Sequence, residues 1–269
     1  MRNKNHSDET LKKLFLTNSP FPHVVIDDFL EKDAFNKLQT EFNNFYETNK
    51  KDGKTYKSEV EKDKWSSQGL SLTPYLKKVG EYLASEENRN WLTQITGFEN
   101  LSAVDDFNHK AIGFFSLMKK GSYLGPHIDH MYDMTGDRGY HVLNIILYVS
   151  DKWNPNWGGN TTLKNRKTKS YASVEFKPNR ALVFMHSPIS EHGTSLLSEF
   201  SKSNRMTIYF DYYSSKKNPY AHINYNFRLV KSPHIFFLPN FIDYLKPKNR
   251  KYLKLMLSHY KHQLISYFK

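Results

Sequence analysis

The chain has no cysteine among its 269 residues, which removes disulfide scaffolds, thiol nucleophiles and every cysteine-ligated zinc or iron–sulfur site. A metal would therefore rest on histidine and carboxylate, and 12 His are present. No run approaches the ~18 uncharged apolar residues that cross a bilayer. The opening MRNKNHSDETLKKLFL is interrupted by Asp8 and Glu9 before a signal-peptide core can form. These absences lead to the expectation of a cytoplasmic protein with no transmembrane segment. Phosphate-cradling glycine patterns are also missing: Gly158-Gly159 stands in no G-x-G-x-x-G or Walker context and reads as a turn. No repeat of fixed period and no recognisable nucleic-acid motif is found.

Acidic residues are scarce in one region only. The formal net charge is +12, but from Ser214 to Lys269 eleven Lys/Arg face the single Asp243, a net of +10 that leaves +2 for the preceding residues. Aromatics are plentiful at 15%, which excludes a disordered chain, and the length is enough to bury one sizeable core.

Two textures follow one another. Pro20 and Pro22 lead into the strand-like HVVIDDFL, and Phe35, Leu38, Phe42 and Phe45 then recur at helical spacing. Residues 47–68 are polar and Lys-rich around a lone Trp65 and read as a long surface loop, with a lid over a site as the functional alternative. Tyr75, Leu76, Val79 and Leu83 mark a second helix, and Asn90 to Ile95 a third. From about Ala111 short apolar runs alternate with turn signals: AIGFFSLM, YLGPHID, HVLNIILYV, TTLK, YASVEF, ALVFMH and RMTIYFDYY. About eight strands after a helical section indicate a mainly β architecture with flanking helices (α+β), an antiparallel sandwich or jelly roll. The boundaries drawn are a helical layer over 1–110, a jelly-roll core over 111–213 and a basic, aromatic-rich extension over 214–269. The extension ends in an amphipathic helix with Leu253, Met256, Leu257, Tyr260, Leu264 and Tyr267 on its stripe.

The chemistry concentrates in His127-Ile128-Asp129. On a strand, residues two apart share a face, so an imidazole and a carboxylate stand side by side. One more histidine from another strand makes the 2-His-1-carboxylate triad that leaves open positions on non-haem Fe(II). His192 in SEHGTS is the evident third ligand, with His186 a rival six positions earlier. Arg205, Thr207 and Tyr209 share one face of RMTIYF, and Asn144, Ile146 and Tyr148 one face of HVLNIILYV. A guanidinium turned into an apolar barrel is costly unless a carboxylate meets it, so this group is suited to holding a ligand carboxylate.

GSYLGPHID, NIILYVSDKWNPNWGGNTTL, NRALVFMHSPISEHGTS and RMTIYFDYY occur in an order that resembles the 2-oxoglutarate/Fe(II) dioxygenases of the prolyl 4-hydroxylase type, and FPHVVIDDFL resembles that family's opening strand and helix. The likeness spans about residues 20–213. It implies a double-stranded β-helix, and an oxygenase that uses Fe(II), 2-oxoglutarate and O₂, with ascorbate as a supporting reductant. It implies iron ligands and catalytic residues at His127, Asp129 and His192, after the loop that follows ALVFMH. It places the distal carboxylate of 2-oxoglutarate on Arg205, with Tyr148, Thr207 and Asn144 around it. Keeping Asp129 implies hydroxylation rather than halogenation. The implied reaction hydroxylates an unactivated C–H of a prolyl or other amino-acid side chain in a peptide or protein and releases succinate and CO₂. A free amino acid or sugar-containing metabolite is the alternative substrate. Two departures stand out: Met118 replaces a usual Tyr, and an extra loop lies around Leu197 to Ser203.

Blander readings stand beside these. His130 adjoins the triad but points to the opposite face, as a satisfied or surface histidine. Tyr132, Arg138 and His141 are either substrate contacts or solvated loop residues, and Trp153 and Trp157 brace the Gly158-Gly159 turn. The basic tail either docks as a helix or holds an anionic partner such as a nucleic acid, lipid surface or polysaccharide. From a different class, the chain would be a non-catalytic jelly roll binding an anionic polymer.

Overall fold

The helical layer is built by capped amphipathic segments. In this computed structural model, which describes residues 1–107, 114–133, 136–216, 234–238 and 240–268, α1 (Asp8–Thr17) starts at Ser7, whose hydroxyl accepts from the Thr10 amide. The strand β1 (His23–Ile26) leads to α2 (Lys32–Asn49), which buries the expected Phe35, Leu38, Phe42 and Phe45.

Where a surface loop is expected, the chain instead forms a hairpin, β2 (Lys54–Tyr56) and β3 (Glu61–Ser66). Trp65 is the reason. It is 3% exposed and meets Phe45 and Tyr46 edge-on, and burying one large ring stabilises by about 3 kcal/mol, enough to order its polar neighbours.

Then come α3 (Pro74–Ala84), capped by Thr73 with Pro74 in its first turn, and α4 (Glu86–Thr96). The latter begins earlier than the expected Asn90, because Ser85 caps it and Glu86 and Glu87 suit its N-terminus; it ends at left-handed Gly97.

The short β4 (Ser102–Ala103) precedes the barrel strands β5 (Phe115–Ile128), β6 (Tyr140–Tyr148), β7 (Thr161–Asn165), β8 (Tyr171–Val174), β9 (Ala181–Met185), β10 (Ser190–Thr194) and β11 (Arg205–Ser214). Their antiparallel order, β1-β9-β6-β11-β5-β10-β7-β8, makes a nearly closed jelly roll. AIGFFSLM and YLGPHID, two separate runs in the sequence, belong to one bent strand, with Ala111 to Gly113 outside the described residues. At Gly121, with φ +73°, β5 turns from its partner β11 toward its partner β10. That left-handed backbone favours glycine, whereas the Glu199 carboxylate near a Cβ placed there is the exposed end of a flexible side chain that can move aside.

The C-terminal part contributes β12 (Ile235–Phe236), α5 (Phe241–Leu245) and α6 (Arg250–Phe268). The strand β12 pairs with the end of β5, opposite Ile128 and His127. Of the expected stripe on α6, Leu253 and Met256 pack inward beside Tyr252, whereas Leu257, Tyr260 and Leu264 are exposed. The side chain of Tyr267 lies outside the described residues. Lys251, Lys254 and Lys261 remain solvated, and among the described residues no helix is long and apolar enough to cross a membrane.

Candidate active site

The site begins with strand register. His127 at the end of β5 lies directly across from His192 on β10, with ring centroids 4.2 Å apart, and Asp129 follows just past the strand. Asp129 reaches both rings: Oδ1 is 3.6 Å from Nε2 of His127 and Oδ2 is 3.3 Å from Nε2 of His192. All three are buried, and one ligand atom from each lies within 4.8 Å of the others. Backbone carbonyls set both rings, since Nδ1 of His127 faces Gly125 O at 2.8 Å and Nδ1 of His192 faces Ser190 O at 3.3 Å. With Nδ1–H given to a carbonyl, each Nε2 presents a lone pair, the arrangement that a metal-ligating histidine requires. Burial, and then the neighbouring His192, hold the pKa of His127 well below its usual value. Burial pushes Asp129 upward, but His192, His234 and His127 outweigh it, and the carboxylate stays ionised well below the ordinary range.

These groups line a cavity of about 320 Å³ together with Met118, Thr207 and Arg205. Arg205 is 4% exposed; its Nε donates to Gly159 O at 2.7 Å and its Nη2 to Thr161 Oγ1 at 3.0 Å. Burial lowers its pKa to about 10, so it is cationic at neutral pH, and among the described residues no carboxylate pairs with it. A buried cation left in that state calls for an anionic ligand. Tyr148 stands one step further from the cavity than its strand face suggests: its hydroxyl donates to Thr161 Oγ1 at 2.7 Å rather than facing the cavity. Thr161 thus accepts from both Tyr148 and Arg205, and its own proton is left to donate. Thr207 shares a 2.9 Å hydrogen bond with Ser116, and Asn144 donates to Asp211 at 2.8 Å.

Of the three suggested substrate contacts, none lines this cavity among the described residues. Tyr132 hydrogen-bonds Asp137, and Arg138 pairs with Asp133 at 2.9 Å. His141 lies on β6 and is completely buried, which corrects its reading as a loop residue. It stacks on His186 at 3.9 Å and 10°, and His130 stacks on it in turn at 5.2 Å. Burial disfavours protonation of His141, but Asp211 at 3.3 Å overcomes that and raises its pKa, while burial and then the neighbouring His141 hold the pKa of His186 well below the usual value. His130 is satisfied, as expected, by the Tyr213 hydroxyl at 3.0 Å. Trp153 packs on Trp157 and Phe176, and a Cβ on Gly159 would press on its ring, so these tryptophans do brace the glycine turn.

Several lining residues were not expected. Thr161 is hidden in the run TTLK, where nothing marks one threonine from the other. Glu61 and Lys64 come from the β3 hairpin strand, and His234 and Phe236 from the segment that pairs with β5.

Residues 113–212 match the family model described as the 2OG-Fe(II) oxygenase superfamily. No curated protein matches the chain in sequence. Among solved structures, a prolyl-4-hydroxylase from Pseudomonas putida superposes with a TM-score of 0.55 at 14% identity, covering 76% of this chain and 98% of that one. A prolyl hydroxylase from Trichoplax adhaerens, solved with a hypoxia inducible factor oxygen degradation domain peptide fragment, gives 0.54 at 14% identity, over 77% and 90%. An oxidoreductase of the 2OG-Fe(II) oxygenase family from Burkholderia pseudomallei gives 0.55 at 9% identity, over 79% and 94%. The fold is thus that of the prolyl hydroxylases. The family's Fe(II) and 2-oxoglutarate find a fitting donor set here in a His-Asp-His cluster and an uncompensated guanidinium on one cavity. Residues 113–212 are thus similar to the 2OG-Fe(II) oxygenase superfamily, and they lie within a chain that has the prolyl-hydroxylase fold.

Proposed function

We propose that the chain hydroxylates an unactivated C–H on a prolyl or other amino-acid side chain of a peptide or protein. The observation that carries this reading is the buried Arg205, which no carboxylate pairs with among the described residues, in the cavity of the His127, Asp129 and His192 cluster. Those three residues would hold Fe(II), which together with 2-oxoglutarate and O₂ supplies the oxidising power for C–H hydroxylation and releases succinate and CO₂.

The remaining work belongs to the chain itself. Arg205 would bind the distal carboxylate of 2-oxoglutarate, and the free proton of Thr161 would add a second donor beside it. Tyr148 keeps Thr161 turned toward the guanidinium, and Ser116 fixes the rotamer of Thr207. Met118, opposite Arg205 in register and 3.9 Å from its Nη1, supplies an apolar wall where relatives have a phenol. A cavity of about 320 Å³ lies at the small end of ligand pockets, so a peptide would present one side chain and keep its backbone outside.

A second reading, a free amino acid, is favoured by one feature. Lys64 and Glu61, 3.9 Å apart on the cavity wall, offer one charge of each sign to a zwitterion. Mass spectrometry of peptides and of free amino acids incubated with the chain tests both. One added oxygen should appear only when enzyme, Fe(II) and 2-oxoglutarate are all present. If no substrate and no iron-dependent succinate is found, even uncoupled, the hydroxylase reading fails.

A further inference from the structure

Three imidazoles, those of His127, His192 and His234, come within 4.0 Å of the Asp129 carboxylate among the described residues, with His141 and His186 within 4.8 Å, and the three are not equivalent. His127 and His192 have committed their Nδ1–H groups to the carbonyls of Gly125 and Ser190, so the Nε2 atoms they turn toward Asp129 carry lone pairs. Two lone pairs facing a carboxylate cannot hydrogen-bond to it; they need a cation between them and it. The third imidazole is His234, whose Nδ1 lies 3.3 Å from Asp129 Oδ1. No backbone carbonyl holds that nitrogen among the described hydrogen bonds, and the buried Nε2 of the same ring has no partner among the described residues. The polar edge that His234 uses is the one on Asp129.

The position of this ring is built by packing. His234 directly precedes β12, where Ile235 and Phe236 pair with Ile128 and His127 of β5. Ile235 is fully buried against Ile128 and Met131, and the Phe237 amide donates to Pro126 O at 2.9 Å. The Leu238 amide donates to the Tyr244 hydroxyl at 2.8 Å, which ties the segment to α5. The imidazole lies parallel to His127, 4.9 Å away at 14°. The segment that carries His234, residues 234–238, lies beyond residue 212, where the family match ends.

We propose that His234 is a positioning residue of the metal centre: its Nδ1–H donates to Oδ1 of Asp129 and fixes the carboxylate's rotation, so that the C-terminal segment completes the site. The inference rests on Asp129 being an iron ligand. A carboxylate that ligates through one oxygen is oriented by a donor on the other, and loss of such outer partners costs roughly 10–100-fold in metal affinity.

The test titrates the full-length chain anaerobically with Fe(II) in the presence of 2-oxoglutarate and reads the visible charge-transfer band of the complex. His127→Ala is the control that abolishes it. His234→Phe keeps a ring to stack on His127 but has no donor, and it should lose affinity by roughly 10–100-fold and alter the band. His234→Asn places an N–H at the position of Nδ1 and should recover most of the loss. Metal-free thermal unfolding reports whether each variant is folded. Wild-type affinity and an unchanged band in His234→Phe overturn the inference. An equal loss in His234→Asn overturns it too, by showing that the imidazole itself is needed. A wild-type chain that binds no Fe(II) removes the metal centre altogether, an outcome distinct from either.

Discussion

The barrel interior has two polar halves, each with a pair of buried histidines, and they are completed differently. In the closed half, His141 and His186 have Nδ1 on backbone carbonyls, as His127 and His192 do. There Asp211, at 3.3 Å from His141, raises the pKa of that imidazole and offers it a counter-charge from within the chain. In the open half the cation is Arg205, and the chain supplies no carboxylate among the described residues. Local geometry alone therefore does not mark a binding site, since the same tautomer lock serves both pairs. What separates them is which half closes its own electrostatics and which half leaves space and charge for something else.

The largest effect is expected where that contrast is attacked directly. His192→Ala should abolish Fe(II) binding and succinate formation, whereas His186→Phe, which keeps a ring on His141, should still bind one Fe(II) per chain by anaerobic titration. Loss of iron in both variants would erase the distinction between the halves. Next comes Arg205→Met. Apparent 2-oxoglutarate affinity should fall by roughly 30- to 150-fold, equivalent to about 2–3 kcal/mol, while the thermal midpoint of the metal-free chain stays level or rises because an unpaired buried charge is gone. A lowered midpoint with unchanged 2-oxoglutarate affinity would make Arg205 a structural cation instead.

In the closed half, Asp211→Asn should destabilise by about 3 kcal/mol, and the loss should depend on pH. The folded pKa of His141 is raised, so its contribution is fully present below the unfolded value of about 6.5 and disappears as pH rises through the folded value. Urea unfolding should show the gap between wild type and variant to be wider at about pH 5.5 than at about pH 8.5. A constant gap would mean that His141 is neutral.

The smallest effect lies outside both halves. A hydrogen bond from Arg180 at 2.6 Å and the charge of Lys177 hold the Asp27 pKa at about 2. That stabilisation is present above the unfolded value of about 3.9 and is lost as pH falls toward 2. Because the Asp27 side chain is 37% exposed, solvent screening should keep the cost of Asp27→Asn near or below about 1 kcal/mol at neutral pH in the same assay.

How much of the molecule is legible in the sequence depends on the range of the interactions. The strand period of two makes His127 and Asp129 neighbours from their spacing alone, and the same rule turns Arg205 and Thr207 to one side. The stripe of α2 follows from its helical period. The hairpin of residues 54–66 carries no such period, because most of its residues are polar and its buried apolar side chains, Val60 and Trp65, are isolated in the sequence. His141 looks like a loop residue because β6 begins a single residue before it, at Tyr140. His234 has the least signal: a strand of two residues has no periodicity, and its partner on β5 is more than a hundred positions earlier.

The bend at Gly121 has a further consequence. Met118, which faces Arg205 in register, and His127, which faces His192, lie on the same continuous strand on either side of it. Arg205 on β11 and His192 on β10 are therefore both set in register against one continuous strand, β5, at opposite ends of the cavity. The strand acts as a ruler for the cavity, with the turn at one glycine lying between the Arg205 end and the histidine end.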